Sequence, residues 1–210
     1  MTSHERQVSS HVAVVRACRL CPDVMPPPVV VGVPRARIYL VGQAPGTNER
    51  EKQRNFCGGS GRTLFRWFAS IGVEEQTFRE RVYMAAVLRC FPGKNDGRDG
   101  DRRPAPAEIE RCRQHMDQEL DLLKPELVLL VGKLAIDLFL PRTKLVDVVG
   151  RTFPFEHNGH GCMGLPLPHP SGLSRWTQKD PGKSLLEEAL SLLKKHPTWQ
   201  SVFGHPIPPQ

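Results

Sequence analysis

Six cysteines concentrate the reactive chemistry of this sequence, and four of them are placed to share a ligand. Cys18 and Cys21 stand in Cys18-Arg19-Leu20-Cys21-Pro22, the two-residue gap of a metal or cluster half-site. Cys90 ends an apolar run, and Cys112 falls on the inner face of the amphipathic stretch that follows. The excursion between them can bring the two halves together. Four thiolates hold either structural zinc or an iron–sulfur cluster, and spacing alone does not choose. Cys57 and Cys162 lack a spaced companion and read as a loop residue and as strand packing.

Three further stretches carry groups that could act on a ligand. Gly42-Gln43-Ala44-Pro45-Gly46 follows the apolar run Ile38 to Val41, and its two glycines would let a ligand approach main-chain N–H groups. Phe56 is the single aromatic of the glycine-rich segment Phe56 to Gly61. His169-Pro170-Ser171-Gly172-Leu173-Ser174-Arg175-Trp176 gathers an imidazole, hydroxyls and a cation in one loop.

The elements that must position these groups can be read from periodicity. Ile38–Val41, Val82–Leu88 and Leu127–Val131 are short continuous apolar runs, the pattern of strands buried on both faces. Helical spacing marks a partly helical lead over residues 1–17, a helix from about Ser60 to Ile71, and others over about 106–124, 133–140 and 180–195. Residues 151–168 alternate and turn at Asn158-Gly159, predicting a strand pair that delivers Pro168 to the His169 loop. Strands alternating with helices imply a three-layer α/β/α sandwich around a central, mainly parallel four-stranded sheet. One domain is expected over residues 1–196, with a Pro-rich tail over 197–210. In such sheets ligands sit beyond the carboxyl ends of the strands, which is where all three stretches fall.

Composition narrows the partners. Lys and Arg number 29 against 22 Asp and Glu, giving a net charge of +7 and a pI near 9.3, a balance that favours a polyanion. Lys94, Arg98, Arg102 and Arg103 concentrate part of that charge in the Gly/Asp-rich loop from Gly93 to Pro104. No run of about 18 apolar residues suggests a membrane span. Met1 to Gln7 is polar, so a cytoplasmic location is expected, and there a disulfide framework is not.

Taken together, these motifs resemble the uracil-DNA glycosylase superfamily, in its iron–sulfur branches, families 4 and 5. The resemblance rests on Gly42-Gln43-Ala44-Pro45-Gly46, on the Phe-x-Gly-x-x-Gly element Phe56-Cys57-Gly58-Gly59-Ser60-Gly61, on His169-Pro170-Ser171, and on the four cysteines in order. It covers roughly residues 18–195. It implies hydrolysis of the N-glycosidic bond of a flipped-out uracil, with uracil-containing DNA as substrate and abasic DNA as product. It further implies a structural 4Fe-4S cluster on Cys18, Cys21, Cys90 and Cys112, and a monomer without membrane attachment. Catalysis would fall to His169 and Gln43, uracil binding to Gly42, Gln43, Phe56 and His169, and DNA binding to Gly46, Ser171, Gly172, Leu173 and Arg175. The alternative is a weakly catalytic or non-catalytic module of the same fold that recognises uracil or abasic sites. Three positions depart from the family pattern: Gln43 where many relatives keep an acid, Gly59 where some keep Asp, and Ala86 where a base-reading Asn often stands. Glu49 and Glu51 are the nearby carboxylates.

Overall fold

The computed structural model describes residues 1–95, 97, 100–140, 144–171 and 176–204. In chain order the elements are α1 Ser3–Ala17, β1 Ile38–Gly42, α2 Thr47–Lys52, α3 Gly59–Ser70, α4 Glu75–Arg81, β2 Val82–Ala86, α5 Pro106–Leu123 and β3 Leu127–Val131. There follow α6 Lys133–Phe139, α7 Leu145–Val148, β4 Phe153–His157, β5 His160–Leu167, α8 Gly182–Lys195 and α9 Pro197–Phe203.

The described residues form one five-stranded sheet in the order β2-β1-β3-β5-β4. The first four of these are parallel, matching the expected four-stranded sheet, and β4 adds an antiparallel edge. The fifth strand arises because the alternating segment supplies both arms of a hairpin. Residues of β4 alternate between half-buried and exposed, with Pro154 and Glu156 facing solvent, as an edge strand requires.

Alternation along β1 assigns the two faces of the sheet. Ile38 and Leu40 pack with Leu64, Phe68 and Phe78 of α3 and α4 and with Leu186 and Leu190 of α8. Tyr39 and Val41 pack on the opposite face with Val8 and Val12 of α1, Met116 and Leu120 of α5, and Ile136 of α6. Three layers result, with β1 and β3 at the centre.

Among the helices that periodicity does not mark are α2 and α9. Thr47 to Asn55, polar throughout, begins with α2, because the Glu49 carboxylate accepts from the Gly46 N–H and caps that end. The stretch read as a Pro-rich tail begins with α9. Pro197 suits its first turn, and Trp199, only 2% exposed, packs against Phe68 and Phe78.

A buried polar network, invisible in the sequence, crosses the α1/α5 face. Glu119 is 1% exposed and accepts from the hydroxyls of Tyr39 (2.6 Å) and Tyr83 (2.9 Å) and from the Arg89 guanidinium. Arg89 also donates to the Ala86 carbonyl at 2.7 Å, and its main-chain N–H donates to Cys112 Sγ at 3.3 Å. Burial works against ionisation of Glu119, but the Arg89 cation, His11 and the two tyrosines override it and hold the carboxyl below its usual 4.5. A carboxylate with a depressed pKa stabilises the fold above the unfolded-chain value, and that contribution disappears as pH falls through the folded value. Glu119→Gln leaves Arg89 buried without its counter-charge, a loss of about 3–5 kcal/mol. Urea unfolding at pH 7 should show that loss, and the variant should have a flatter stability decline than wild type below about pH 4.5. Unchanged stability at pH 7 would contradict the role given to this pair.

Candidate active site

The site is built where strand order reverses. From β1 the chain goes outward to β2 on one side and then to β3 on the other, so the crevice beyond the carboxyl ends of β1 and β3 is the topological switch point. The ladder persists past the strand ends: Val87 N–H donates to the Gly42 carbonyl (2.9 Å) and Leu88 N–H to that of Gln43 (3.1 Å). The Gly42–Gly46 loop is thereby anchored on its β2 side. On the other side, Gly132 closes β3 and its N–H donates to the Leu167 carbonyl at 2.9 Å.

Phe56 and His169 approach this crevice over two glycines. A Cβ placed on Gly42 would lie 2.8 Å from Phe56 Cζ, so the ring rests directly on the Gly42 backbone. Gly132, at φ +87°, leaves room for His169 in the same way, with Cδ2 3.1 Å from where a Cβ would stand. Phe56 opens a glycine-rich segment, yet four contacts hold it. Arg79 donates to the Asn55 and Phe56 carbonyls at 2.7 and 2.9 Å, while the following Cys57 and Gly58 N–H groups donate to Glu49 Oε1 at 3.0 and 2.8 Å. Phe56 itself is left-handed, at φ +51°, a conformation that a bulky residue keeps only when its surroundings impose it. Gly61 completes the clamp, since a Cβ there would meet the Phe56 carbonyl oxygen at 1.9 Å.

Together these groups enclose a cavity of about 500 Å³, within the size range of ligand pockets. Gly42, Gln43, Gly46, Phe56, His169 and Ser171 all line it. Burial pushes the His169 imidazole below its usual 6.5, so near pH 7 it is neutral and can present an N–H donor. A flat aromatic surface, an amide side chain and a half-buried neutral imidazole lining one cavity are suited to a planar heterocycle with polar edges.

The sequence-derived residues therefore divide. Gly42, Gln43, Gly46, Phe56, His169 and Ser171 share one cavity, whereas Gly172, Leu173 and Arg175 lie outside the described residues. Both carboxylates singled out from the sequence take other roles. Glu49 accepts from three main-chain N–H groups, those of Gly46, Cys57 and Gly58, which makes it a clamp between the two loops. Glu51 is exposed and off the cavity wall. Part of the basic loop is also engaged, since Arg102 forms a two-pronged pair with Glu108 (2.9 and 2.5 Å) and Lys94 pairs with Asp101 at 2.7 Å. Among the cavity residues that were not singled out are Asn55 and Asp101. Asn55 donates to the Met84 carbonyl at 2.7 Å on the outer edge of β2, and Asp101 stands beside Gly46. Asn55 adjoins the Phe56 motif, whereas Asp101 had no local signal beyond its Gly/Asp-rich loop.

A second, smaller cavity is lined by Cys18, Cys21, Cys90 and Cys112, with Arg111 and His115 beside them. Among the described residues, no three His, Cys, Asp or Glu side chains close on a single-ion geometry; the four thiols surround a shared space instead. All four cysteines are free of disulfides. Burial, reinforced by Cys112, Cys18 and Cys21, pushes the Cys90 thiol up to about 12. Thiols this crowded and desolvated need a cationic partner to ionise together.

A family model described as the Uracil DNA glycosylase superfamily matches residues 29–194. The chain belongs to that superfamily. The match begins beyond Cys18 and Cys21, so it covers the sheet and both cavity loops but not the first cysteine pair. The chain is similar to a type-4 uracil-DNA glycosylase of Archaeoglobus fulgidus, with 32% identity over 68% of this chain and 69% of the relative. A type-4 enzyme of Thermotoga maritima is 29% identical over 86% and 92% of the two chains. A type-5 uracil-DNA glycosylase of Thermus thermophilus is 29% identical over 75% and 80%. Families 4 and 5, the two expected from the motifs, are thus both represented among the relatives of this superfamily member. No helix among the described residues is long and apolar enough to cross a membrane.

Proposed function

We propose that this protein is a uracil-DNA glycosylase that takes a uracil nucleotide out of the DNA stack and hydrolyses its N-glycosidic bond, releasing uracil and leaving an abasic site. The observation that carries this reading is the pairing of Phe56 over Gly42 with His169 over Gly132, on the walls of one cavity at the switch point of a superfamily fold. A flipped base needs a stacking surface and polar groups for its edges, and Phe56 and Gln43 supply these. As the bond from C1′ to N1 breaks, negative charge spreads onto the uracil ring and its O2. A neutral His169 donating an N–H there stabilises that charge without first giving up a bound proton, and such preorganised stabilisation is often the largest catalytic contribution. Ser171 and Gly46 line the same cavity and are proposed to contact the phosphates that flank the flipped nucleotide. Gly172, Leu173 and Arg175 follow directly in sequence and are proposed to fill the vacated stack and hold the backbone.

Uracil release from a uracil-containing oligonucleotide is the test. Wild-type protein should liberate free uracil, and His169→Ala should lower kcat by roughly 10²–10³-fold. Tight uracil-DNA binding with no release at any salt or pH would instead favour the non-catalytic module.

The four-cysteine cavity supports a structural 4Fe-4S cluster held by Cys18, Cys21, Cys90 and Cys112. In a cubane each iron takes one thiolate, so the thiols must surround a space, as these do. When bound, the cluster supplies cohesion, tying α1 and the stretch after β2 to α5, and the hydrolysis needs no step through it. The Arg89 N–H to Cys112 Sγ is the kind of outer hydrogen bond that steadies such a ligand. Purified protein should be brown, with about four irons per chain, and Cys112→Ser should lose the colour and fold less stably. Stoichiometric zinc in a colourless protein would contradict the cluster.

A further inference from the structure

The first motif of this chain carries Gln43 in place of an acid, and Glu49, the nearest carboxylate in sequence on the cavity wall, is consumed by three main-chain N–H groups. Hydrolysis of the glycosidic bond still requires a water to be oriented and its proton to be accepted. Among the described residues, one further carboxylate lines the cavity. Asp101 Oδ2 lies 3.0 Å from where a Cβ on Gly46 would stand, on the loop that forms the pocket wall.

Asp101 is held there by backbone and charge. Lys94 and Asp101 face each other in an antiparallel bridge, with Asn95 N–H donating to the Gly100 carbonyl (3.1 Å) and Arg102 N–H to that of Gly93 (2.9 Å). Arg102, next in the chain, is fastened to Glu108 and to the Asp23 carbonyl, so the hairpin is pinned at its base. Lys94 Nζ occupies Asp101 Oδ1 at 2.7 Å; among the described residues Oδ2 has no donor. Among the described residues, the charged and titratable groups around this carboxylate are Lys94 on its own hairpin, Glu49 across Gly46, and Arg102 and His169, which line the same cavity. Glu49 and Asp101 thus flank Gly46 from two elements, one carboxylate satisfied and the other half-free.

We propose that Asp101 is the residue that orients the attacking water and accepts its proton, taking the place that the first motif leaves without an acid. The proposal rests on the glycosylase reading above. The water oxygen bonds to C1′ and one of its protons passes to Asp101 Oδ2. The C1′–N1 electron pair leaves with uracil, whose negative charge His169 stabilises. Asp101 then returns the proton to solvent or to the uracil anion, so the sum is water plus nucleotide to uracil plus abasic site. Lys94 engages Oδ1, which leaves Oδ2, on the Gly46 side, to meet the water. Access to solvent at the cavity mouth also lets the site refill with water after each turnover.

The test compares wild type, Asp101→Asn and Asp101→Glu in single-turnover uracil release across pH, alongside binding to uracil-containing DNA. Asp101→Asn preserves shape and removes only the base, and should slow release by about 10²-fold or more without weakening DNA binding. The acid limb of the rate profile should vanish in that variant. Asp101→Glu, which retains a carboxylate, should recover part of the rate together with an acid limb. A merely structural pairing with Lys94 would leave the shape of the profile unchanged. If wild type is active and Asp101→Asn releases uracil within about threefold of it, acid limb intact, the assignment to Asp101 is overturned and the glycosylase reading stands. If wild type releases no uracil, the glycosylase reading fails and takes this assignment with it.

Discussion

The pocket depends on the Glu49 carboxylate. One oxygen accepts from Gly46, at the end of the first loop, and the other from Cys57 and Gly58, just past Phe56. Those three N–H groups belong to two segments without a shared strand, and the carboxylate joins them at the end of α2. Phe56 can then sit in a left-handed conformation with its ring on Gly42, a geometry that neither loop would hold alone. Arg79 pins the preceding carbonyls, so the peptide around Phe56 is fixed from both sides. The aromatic surface is thus held in place by the protein itself, which lowers the entropic cost of binding a flat ligand there.

A second constraint links this wall to the cysteine cavity. Arg89 lies between Ala86, on the pocket side of β2, and Cys90, and its guanidinium meets Glu119 inside the α1/α5 layer. Tyr39 and Tyr83, neighbours on β1 and β2, converge on the same carboxylate. The positions of the two central strands, the helix bearing Cys112 and the segment bearing Cys90 are therefore coupled through one buried ion pair. The cluster proposed for that cavity and the base pocket share a scaffold without sharing a reaction.

Much of this was legible in the sequence because it follows from local pattern. Ile38–Val41 and Leu127–Val131 could only be strands buried on both faces, and each runs into a glycine. The glycines at 42 and 132 carry the close approaches of Phe56 and His169, although no property of the sequence said which side chain would lie on which glycine. Trp199 was hidden because Pro197 and the polar residues beside it resemble a tail, whereas the ring packs with Phe68 and Phe78, more than a hundred residues earlier. Arg89 with Glu119, and Asp101 with Gly46, were beyond reach for the same reason. Charged residues far apart in sequence read as surface until tertiary contacts join them. Glu49 was visible as a carboxylate near the motif, but its role as a brace appears only in its hydrogen bonds.

The central claim is that the Phe56 and His169 cavity is the uracil pocket, and the most direct measurement is a crystal structure of the protein with free uracil bound. Uracil should lie flat against the Phe56 ring above Gly42, with one carbonyl within hydrogen-bond distance of a His169 nitrogen and its opposite edge toward Gln43. Uracil seated elsewhere, or in this cavity with His169 turned away from both carbonyls, would contradict the account.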